Sequence, residues 1–276
     1  MPRRPEEARR AVPYLLNSVE GPLRGQPLAF AHRGADPGRE NTLGAFRAAV
    51  AQGYRYLELD VRTARCGTLV VFHDEMLDRV TTGSGPLSER TWEELSLLRV
   101  GQHAGYDEPL LRFEDLLGAW DDVHLNVDLK DAAAVAEFAR LVNLYQAHGR
   151  VLAASFKDSR VRAAQRQMDR PVAISAGQSA TAALVLLGRI GLARPVSRML
   201  KSVACVQVPV RRAGVRIVTA PFVRRCHRAG IQVHVWLVNE VEDMHHVLDL
   251  GVDGVMTDSA TVLAEVMRSR GIWPQR

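Results

Sequence analysis

The chain has 276 residues, of which 47% are hydrophobic and 24% are charged, a balance typical of a globular protein with one large domain or two small ones. It carries 36 Lys and Arg against 31 Asp and Glu, but the arginines are scattered among acids and form no basic block with interleaved aromatic residues. This distribution argues against a nucleic-acid-binding protein, although a basic surface would still attract anionic substrates or a membrane face.

Cysteine usage and the apolar stretches indicate the compartment. Cys66, Cys205 and Cys226 are widely spaced and form neither a disulfide framework nor a CxxC metal site, which is typical of a reducing compartment. The N-terminus is a poor signal peptide, and no apolar run is long enough to span a membrane. Residues 182–200 predict an amphipathic helix packed on the body, with a lid or peripheral membrane contact as the alternative. We therefore expect a cytoplasmic protein.

Short apolar runs alternate with helical patterns along the chain. The predicted strands are 28–34, 56–62, 124–130, 151–156, 172–177, 203–209, 232–238 and 253–258. The clearest helical stretches between them are 131–148, 158–169 and 240–250. Alternation of this kind implies a parallel sheet, and eight units predict an α/β fold of the closed (β/α)8 TIM-barrel type. A doubly wound open sheet is the alternative, but the Gly-rich nucleotide turn that usually accompanies it is missing.

One segment interrupts this rhythm. Residues 69–72 predict a further strand, and the turn-rich stretch at about 75–112 predicts a small insertion between the second and third barrel strands. Such an insertion would lie above the barrel mouth and help to define the substrate. The predicted organisation is an N-terminal extension over 1–27 and a single barrel domain over 28–270.

Two acids lie two residues apart on the second predicted strand. Side chains alternate along a strand, so Glu58 and Asp60 face the same side while their apolar neighbours face the other. Paired acids on a buried strand are costly unless a cation neutralises them, and oxygen ligands suit Mg²⁺ or Ca²⁺. A pair of surface acids on an edge strand is the alternative, which the apolar flanks disfavour.

The third strand repeats this arrangement. Asp128 and Lys130 share a face, so the acid could be a third metal ligand and the lysine could neutralise a phosphate. The alternative interpretation is a local salt bridge at a strand end.

Two histidines end apolar strands. His32 ends the first strand, and His73 follows the additional strand that precedes the insertion. A single histidine at such a place is usually structural, but a pair beside acids could supply a general acid and a general base. Arg33 offers a planar fork that matches a phosphate. Because adjacent strand residues point apart, His32 and Arg33 can reach one ligand only if the strand ends at His32, as Gly34 suggests.

Two further residues have alternative interpretations. Glu40 would either touch a metal ion or hold Arg33, while Thr42 would cap the following helix. Trp236 lies near the end of the seventh strand, where an indole could pack on a small polar organic group such as glycerol. Core packing is the alternative for Trp236.

The motifs, taken in order, resemble those of the glycerophosphodiester phosphodiesterase (GDPD) family. They are HRG…ENT, ELDV, VFHD, RVTTGSG, NVDLK, SF at 155–156, VWLVN and GVDGVMTD. The resemblance covers about 28–268, and the ordered set is far more specific than any single piece. It implies a metal-dependent hydrolase with a TIM-barrel fold. The substrates it implies are small molecules, the glycerophosphodiesters, which the enzyme would cleave to glycerol 3-phosphate and an alcohol.

The resemblance also implies roles for residues. His32 and His73 match the catalytic pair, while Glu58 and Asp60 match ligands of a divalent cation, Ca²⁺ or Mg²⁺. Asp128 stands where the family usually has a glutamate ligand, and this shorter side chain puts the identity and affinity of the metal in question.

Further positions match substrate contacts. Arg33 and Lys130 match phosphate-contacting positions, and Glu40 matches the acid of the Glu-Asn-Thr motif. Leu237 replaces a threonine that is common after the tryptophan, and its side chain is expected to point away from Trp236.

Three functional interpretations remain open from the sequence. The first is a phosphodiesterase that acts on glycerophosphodiesters with various headgroups. The second is a lysophospholipase D-type relative, in which the insertion and the helix over 182–200 form an apolar entrance. The third is a non-catalytic protein that binds phosphodiesters, which the full set of matching histidines and acids disfavours.

Overall fold

Eight parallel strands close into a barrel in the computed structural model, which describes residues 12–189, 202–212 and 214–273. The strands in chain order are β1 (Leu28–His32), β2 (Tyr56–Thr63), β3 (Leu69–Val71), β4 (Arg99–Val100), β5 (Glu108–Pro109), β6 (Leu111–Arg112), β7 (His124–Leu129), β8 (Val151–Ala154), β9 (Ala173–Ala176), β10 (Cys205–Pro209), β11 (Arg211–Arg212), β12 (Val215–Arg216), β13 (Gln232–Trp236) and β14 (Gly254–Thr257). The barrel runs β1-β2-β7-β8-β9-β10-β13-β14 and closes where β14 pairs with β1. The predicted (β/α)8 barrel is confirmed.

Helices connect most of the barrel strands. The described helices are α1 (Leu43–Ala51), α2 (Trp92–Leu95), α3 (Phe113–Leu117), α4 (Ala134–Leu144), α5 (Asp158–Arg166), α6 (Gln178–Arg189), α7 (Ala220–Arg228), α8 (Val241–Asp249) and α9 (Ala260–Ser269). The helix predicted over 182–200 corresponds in part to α6, and residues 190–201 lie outside the described residues. Within the described part of the chain, no helix is both long and apolar enough to cross a membrane.

Strand alternation produces two apolar layers. Side chains on the outer face of the barrel pack under the helices in one extensive core, which includes Phe46, Leu59 and Val127. Side chains on the inner face form a second core, in which Phe30 and Tyr56 meet Tyr14 of the N-terminal segment. That segment therefore covers the end of the barrel at which the parallel strands begin.

The insertion is anchored to the barrel by antiparallel pairing. β3 pairs with β2, with Val71 opposite Val61, and β6 extends β3. The remainder folds over a separate small core that contains Phe72, Leu77 and Leu95. The predicted insertion between the second and third barrel strands is thus confirmed, and it packs around an apolar core of its own.

Candidate active site

A cavity of about 490 Å³ opens at the carboxyl ends of the barrel strands. Eight of the residues predicted from the sequence line it: His32, Arg33, Glu58, Asp60, His73, Asp128, Lys130 and Trp236. The ninth, Glu40, lies behind Arg33. The structure therefore brings every predicted site residue to one end of the barrel, where enzymes of this fold carry their active sites.

The end of β1 explains how two adjacent residues reach one cavity. β1 ends at His32, and Arg33 and Gly34 adopt positive φ angles of 51° and 91°. The chain therefore leaves the alternating pattern directly after His32, as Gly34 suggested, and both side chains line the cavity.

The carboxylates of β2 and β7 face two cations. Asp60 lies beside Asp128 in the strand register. Lys130 Nζ lies 2.8 Å from Asp60 Oδ1 and 2.6 Å from Asp128 Oδ2. Arg33 Nε lies 2.9 Å from Asp60 Oδ2. Asp60 thus has a cation on each oxygen, an arrangement that keeps it ionised.

The pKa values of Glu58 and Asp60 are shifted in opposite directions although both side chains are buried. Burial raises the pKa of Asp60, but Lys130 and Arg33 outweigh it and lower that pKa to about 2. Burial and the neighbouring Asp60 raise the pKa of Glu58 to about 7. Glu58 is therefore the carboxyl group of the cavity that lacks sufficient compensating positive charge.

An aspartate holds the first histidine. His32 Nδ1 lies 2.6 Å from Asp258 Oδ1, and His32 Nε2 lies 3.7 Å from Glu58 Oε2. Burial lowers the pKa of His32, but Glu58 and Asp258 outweigh it and raise that pKa above its usual value. Sequence reasoning assigned no role to Asp258, although its place directly after the last barrel strand was the available signal.

The second histidine has a carboxylate partner as well. His73 Nδ1 lies 2.6 Å from Oδ1 of the adjacent Asp74. Burial lowers the pKa of His73, and the opposing effects of Asp60 and Asp74 do not restore it. The sequence analysis predicted no role for Asp74, although Asp74 is adjacent to His73 in the sequence. The two histidines thus share a cavity while their pKa values are shifted in opposite directions.

Glu40 is occupied by arginines. It accepts from Arg33 Nη1 at 3.0 Å, and Arg79 donates to both of its oxygens. This arrangement favours the interpretation in which Glu40 holds Arg33 over direct contact with a metal ion. Thr42 Oγ1 accepts from Ala45 N at 3.2 Å, so the predicted cap of α1 is present.

The opposite wall of the cavity is mostly apolar, but it also carries polar side chains, among them Gln207 and Arg212. Trp236 lies with its ring edge-on to Phe156, at a centroid distance of 6.4 Å. Ile217 and Leu237 continue this wall. Leu237 also lines the cavity, because β13 ends at Trp236 and strand alternation does not extend to the next residue.

The fit of a divalent cation depends on Glu58, Asp60 and Asp128. Among residues 12–189, 202–212 and 214–273, no three His, Cys, Asp or Glu side chains are spaced to hold a metal ion in this conformation. The oxygen ligands of Glu58, Asp60 and Asp128 nevertheless suit a hard cation. Asp128 Oδ1 is buried without a hydrogen-bond partner among the described residues, and burial raises the pKa of Glu58. Binding would require Lys130 to move away from the carboxylates.

Comparison with known proteins identifies the family. Residues 29–262 match the model of the glycerophosphoryl diester phosphodiesterase family. The chain is 39% identical over 258 residues to a Mycobacterium tuberculosis protein named probable glycerophosphodiester phosphodiesterase 2, an alignment that covers 93% of this chain and 96% of the relative. It is 28% identical to the mouse protein lysophospholipase D GDPD3, with 91% and 84% covered.

A solved structure supports the same assignment at the level of the fold. The putative glycerophosphoryl diester phosphodiesterase of Silicibacter pomeroyi superposes with a TM-score of 0.74 at 24% identity, covering 90% of this chain and 95% of that one. The family match spans most of the chain, and the M. tuberculosis relative is similar over nearly its whole length. The chain belongs to the glycerophosphoryl diester phosphodiesterase family.

Proposed function

We propose that this phosphodiesterase hydrolyses glycerophosphodiesters to glycerol 3-phosphate and an alcohol, with His32 and His73 as the acid/base pair. One observation carries the proposal: both histidines line the same cavity, and each is held at Nδ1 by a carboxylate. Such a hydrogen bond fixes the orientation of the ring and leaves Nε2 for exchange of a proton with a ligand.

The charges around the histidines suit a phosphodiester. Arg33 and Lys130 would bind its non-bridging oxygens and stabilise the negative charge that develops there. His73, whose pKa is lowered, would accept a proton from a water molecule as the water oxygen bonds to phosphorus. His32, whose pKa is raised, would protonate the leaving alkoxide as the phosphorus–oxygen bond to the alcohol breaks.

A divalent cation, Ca²⁺ or Mg²⁺, would be held by Glu58, Asp60 and Asp128. When bound, it would supply charge neutralisation at the phosphoryl oxygens. The support for this proposal is the unpartnered Asp128 oxygen and the raised pKa of Glu58.

The direct test is release of glycerol 3-phosphate from glycerophosphocholine and glycerophosphoethanolamine. We expect release to be lost in EDTA and restored by Mg²⁺, Ca²⁺ or Mn²⁺. Substituting alanine for His32 or His73 should lower kcat by about 10²–10⁴-fold while the circular dichroism spectrum stays unchanged. Turnover near the wild-type rate in either variant would refute the acid/base assignment, and substrate binding without turnover under any cation would indicate a binding protein.

The apolar wall favours a second candidate substrate class, the lysophospholipids. Phe156 and Ile217 offer an acyl chain a surface that a glycerol headgroup does not need. A relative in this family is named lysophospholipase D, which is consistent with such a substrate. Rates on lysophosphatidylcholine and glycerophosphocholine should be compared, together with Ile217→Asp. If Ile217→Asp lowers the rate on lysophosphatidylcholine but not the rate on glycerophosphocholine, this candidate is supported. If wild type and variant each turn over the two substrates at equal rates, an acyl-chain subsite is excluded.

A further inference from the structure

Arg79 connects two carboxylates that belong to different parts of the site. It lies in the insertion, after β3, within the RVTTGSG motif. Its Nε donates to Asp74 Oδ2 at 2.5 Å. Its Nη1 and Nη2 donate to the two oxygens of Glu40 at 2.9 and 2.6 Å. A single guanidinium group therefore occupies three carboxylate oxygens on two chain segments.

Each of these carboxylates holds a residue that lines the cavity. Asp74 Oδ1 lies 2.6 Å from His73 Nδ1, and Glu40 Oε1 lies 3.0 Å from Arg33 Nη1. We propose that Arg79 is a positioning residue that fixes His73 relative to Arg33 through Asp74 and Glu40. This inference rests on the proposed function, in which His73 moves a proton and Arg33 binds the phosphate.

The residue type matters for this role. The planar guanidinium presents N–H groups in a fixed fork, so it can hold two carboxylates at a set angle. A lysine carries one small ammonium group on a flexible stem and cannot define the same angle. Arg79→Lys should therefore retain the charge but not the geometry.

Arg79 could instead be an ordinary surface ion pair, because its side chain is 49% exposed. Exposed pairs contribute little to stability. Its partner Glu40 is only 10% exposed, however, and Glu40 also contacts Arg33, which is 18% exposed. The chain of contacts thus leads from the surface into the cavity. Loss of Arg79 should consequently change activity far more than stability.

The test compares Arg79→Gln and Arg79→Lys with a matched control, Arg112→Gln. Arg112 makes two hydrogen bonds to Asp115, at 2.9 and 2.8 Å, but neither residue lines the cavity. Misplacement of catalytic groups by about 1 Å can cost about 10²-fold in rate. We expect kcat to fall by about 10–100-fold in Arg79→Gln, less in Arg79→Lys, and to stay within twofold of wild type in Arg112→Gln. All three variants should keep the wild-type midpoint of thermal unfolding within a few degrees.

A double-mutant cycle separates positioning from a general effect. If Arg79 fixes His73 through Asp74, the fall in kcat caused by Arg79→Gln should be smaller in the Asp74→Asn background than in the wild-type background. Additive losses in the cycle, or kcat of Arg79→Gln within twofold of wild type, would overturn the proposal.

Two readouts do not depend on turnover, so failure of the proposed function can be distinguished from failure of this inference. The first is the ¹⁵N spectrum of the His73 ring, assigned with His73→Ala. The second is the dissociation constant for inorganic phosphate. Both should change in Arg79→Gln and remain as in wild type in Arg112→Gln. An enzyme without activity on any diester, in which both readouts still change, would refute the function alone. Unchanged readouts would refute the role of Arg79 whatever the activity.

Discussion

Glu58 and Asp60 lie two residues apart on one strand face, yet their surroundings shift their pKa values in opposite directions. The difference follows from where the cations lie. Lys130 and Arg33 contact both oxygens of Asp60, whereas Glu58 is 3.7 Å from His32 Nε2 and 3.4 Å from the Arg33 amide nitrogen. Glu58 is therefore a buried carboxyl group whose ionisation should lower the stability of the fold.

The stability effect of Glu58 has a definite sign. Its pKa is raised from 4.5 to about 7 on folding, so between these values the folded state holds a proton that the unfolded state has lost. Stability consequently falls as the pH rises through this window. In EDTA we expect Glu58→Gln to increase the free energy of unfolding at pH 8 by about 1–2 kcal/mol and to leave it unchanged at pH 4.

Urea unfolding of wild type and Glu58→Gln at the two pH values measures this effect. The control is Glu89→Gln, which removes an exposed carboxylate in the insertion. If a divalent cation binds at Glu58, adding it at pH 8 should stabilise wild type more than the variant. A variant that is less stable than wild type at pH 8 in EDTA would contradict the interpretation.

The opposite pKa shifts of the two histidines predict that activity has a bell-shaped dependence on pH. Activity should rise as His73, whose pKa is lowered, loses its proton, and decline at higher pH as His32, whose pKa is raised, loses its own. Because Asp258 raises the pKa of His32, Asp258→Asn should move the alkaline limb of kcat/KM to lower pH. The profile on glycerophosphocholine tests this, with Asp115→Asn as a surface control. An unmoved alkaline limb in Asp258→Asn would assign that limb to another group.

At the scale of elements, strand alternation made much of the site predictable. It placed Glu58 with Asp60 on one face before any contact was known, and Gly34 marked where β1 ends. The pairings of Asp258 with His32 and of Arg79 with Glu40 could not be predicted in the same way. They join residues 226 and 39 positions apart, and only the closure of the barrel and the path of the insertion bring them together.

The β1–α1 connection depends on a glycine. Gly34 has a φ of +91°, and a Cβ atom there would lie 2.6 Å from Ala45 Cβ in α1. Gly67 has a similar φ of +89° but no atom within 4 Å of the same position. We expect Gly67→Ala to cost about 1 kcal/mol through backbone strain alone. Gly34→Ala should cost about 1–3 kcal/mol more, because α1 or the loop must shift.

The shift should also affect the site, since Gly34 follows Arg33 directly. We expect kcat of Gly34→Ala to fall at least about tenfold and that of Gly67→Ala to stay at the wild-type level. Chemical denaturation and steady-state kinetics on the two variants give both quantities. Equal losses of stability would show that contact with α1 plays no part.

At the scale of the whole molecule, the candidate active site lies at one end of the barrel and the other end is closed. The cavity opens where the strands finish, while the segment before β1 packs where they start. Tyr14 lies edge-on to Tyr56 at a centroid distance of 5.4 Å, and its carbonyl oxygen accepts from the Tyr56 hydroxyl at 2.6 Å. Tyr56 begins β2, so the residues before the barrel are part of its interior core.

This separation predicts that substitutions at the closed end change the free energy of unfolding but not kcat. Tyr14 is 1% exposed, and Tyr14→Ala would leave a large cavity under the barrel. We expect a loss of about 3–4 kcal/mol in the free energy of unfolding, by analogy with other large aromatic truncations.

The Tyr14 hydroxyl has no hydrogen-bond partner among residues 12–189, 202–212 and 214–273. Tyr14→Phe should therefore be neutral or stabilising by up to about 1 kcal/mol. In both variants kcat, measured well below the unfolding temperature, should match wild type. A fall in kcat that parallels the stability loss of Tyr14→Ala would mean that the two ends of the barrel are coupled through its core.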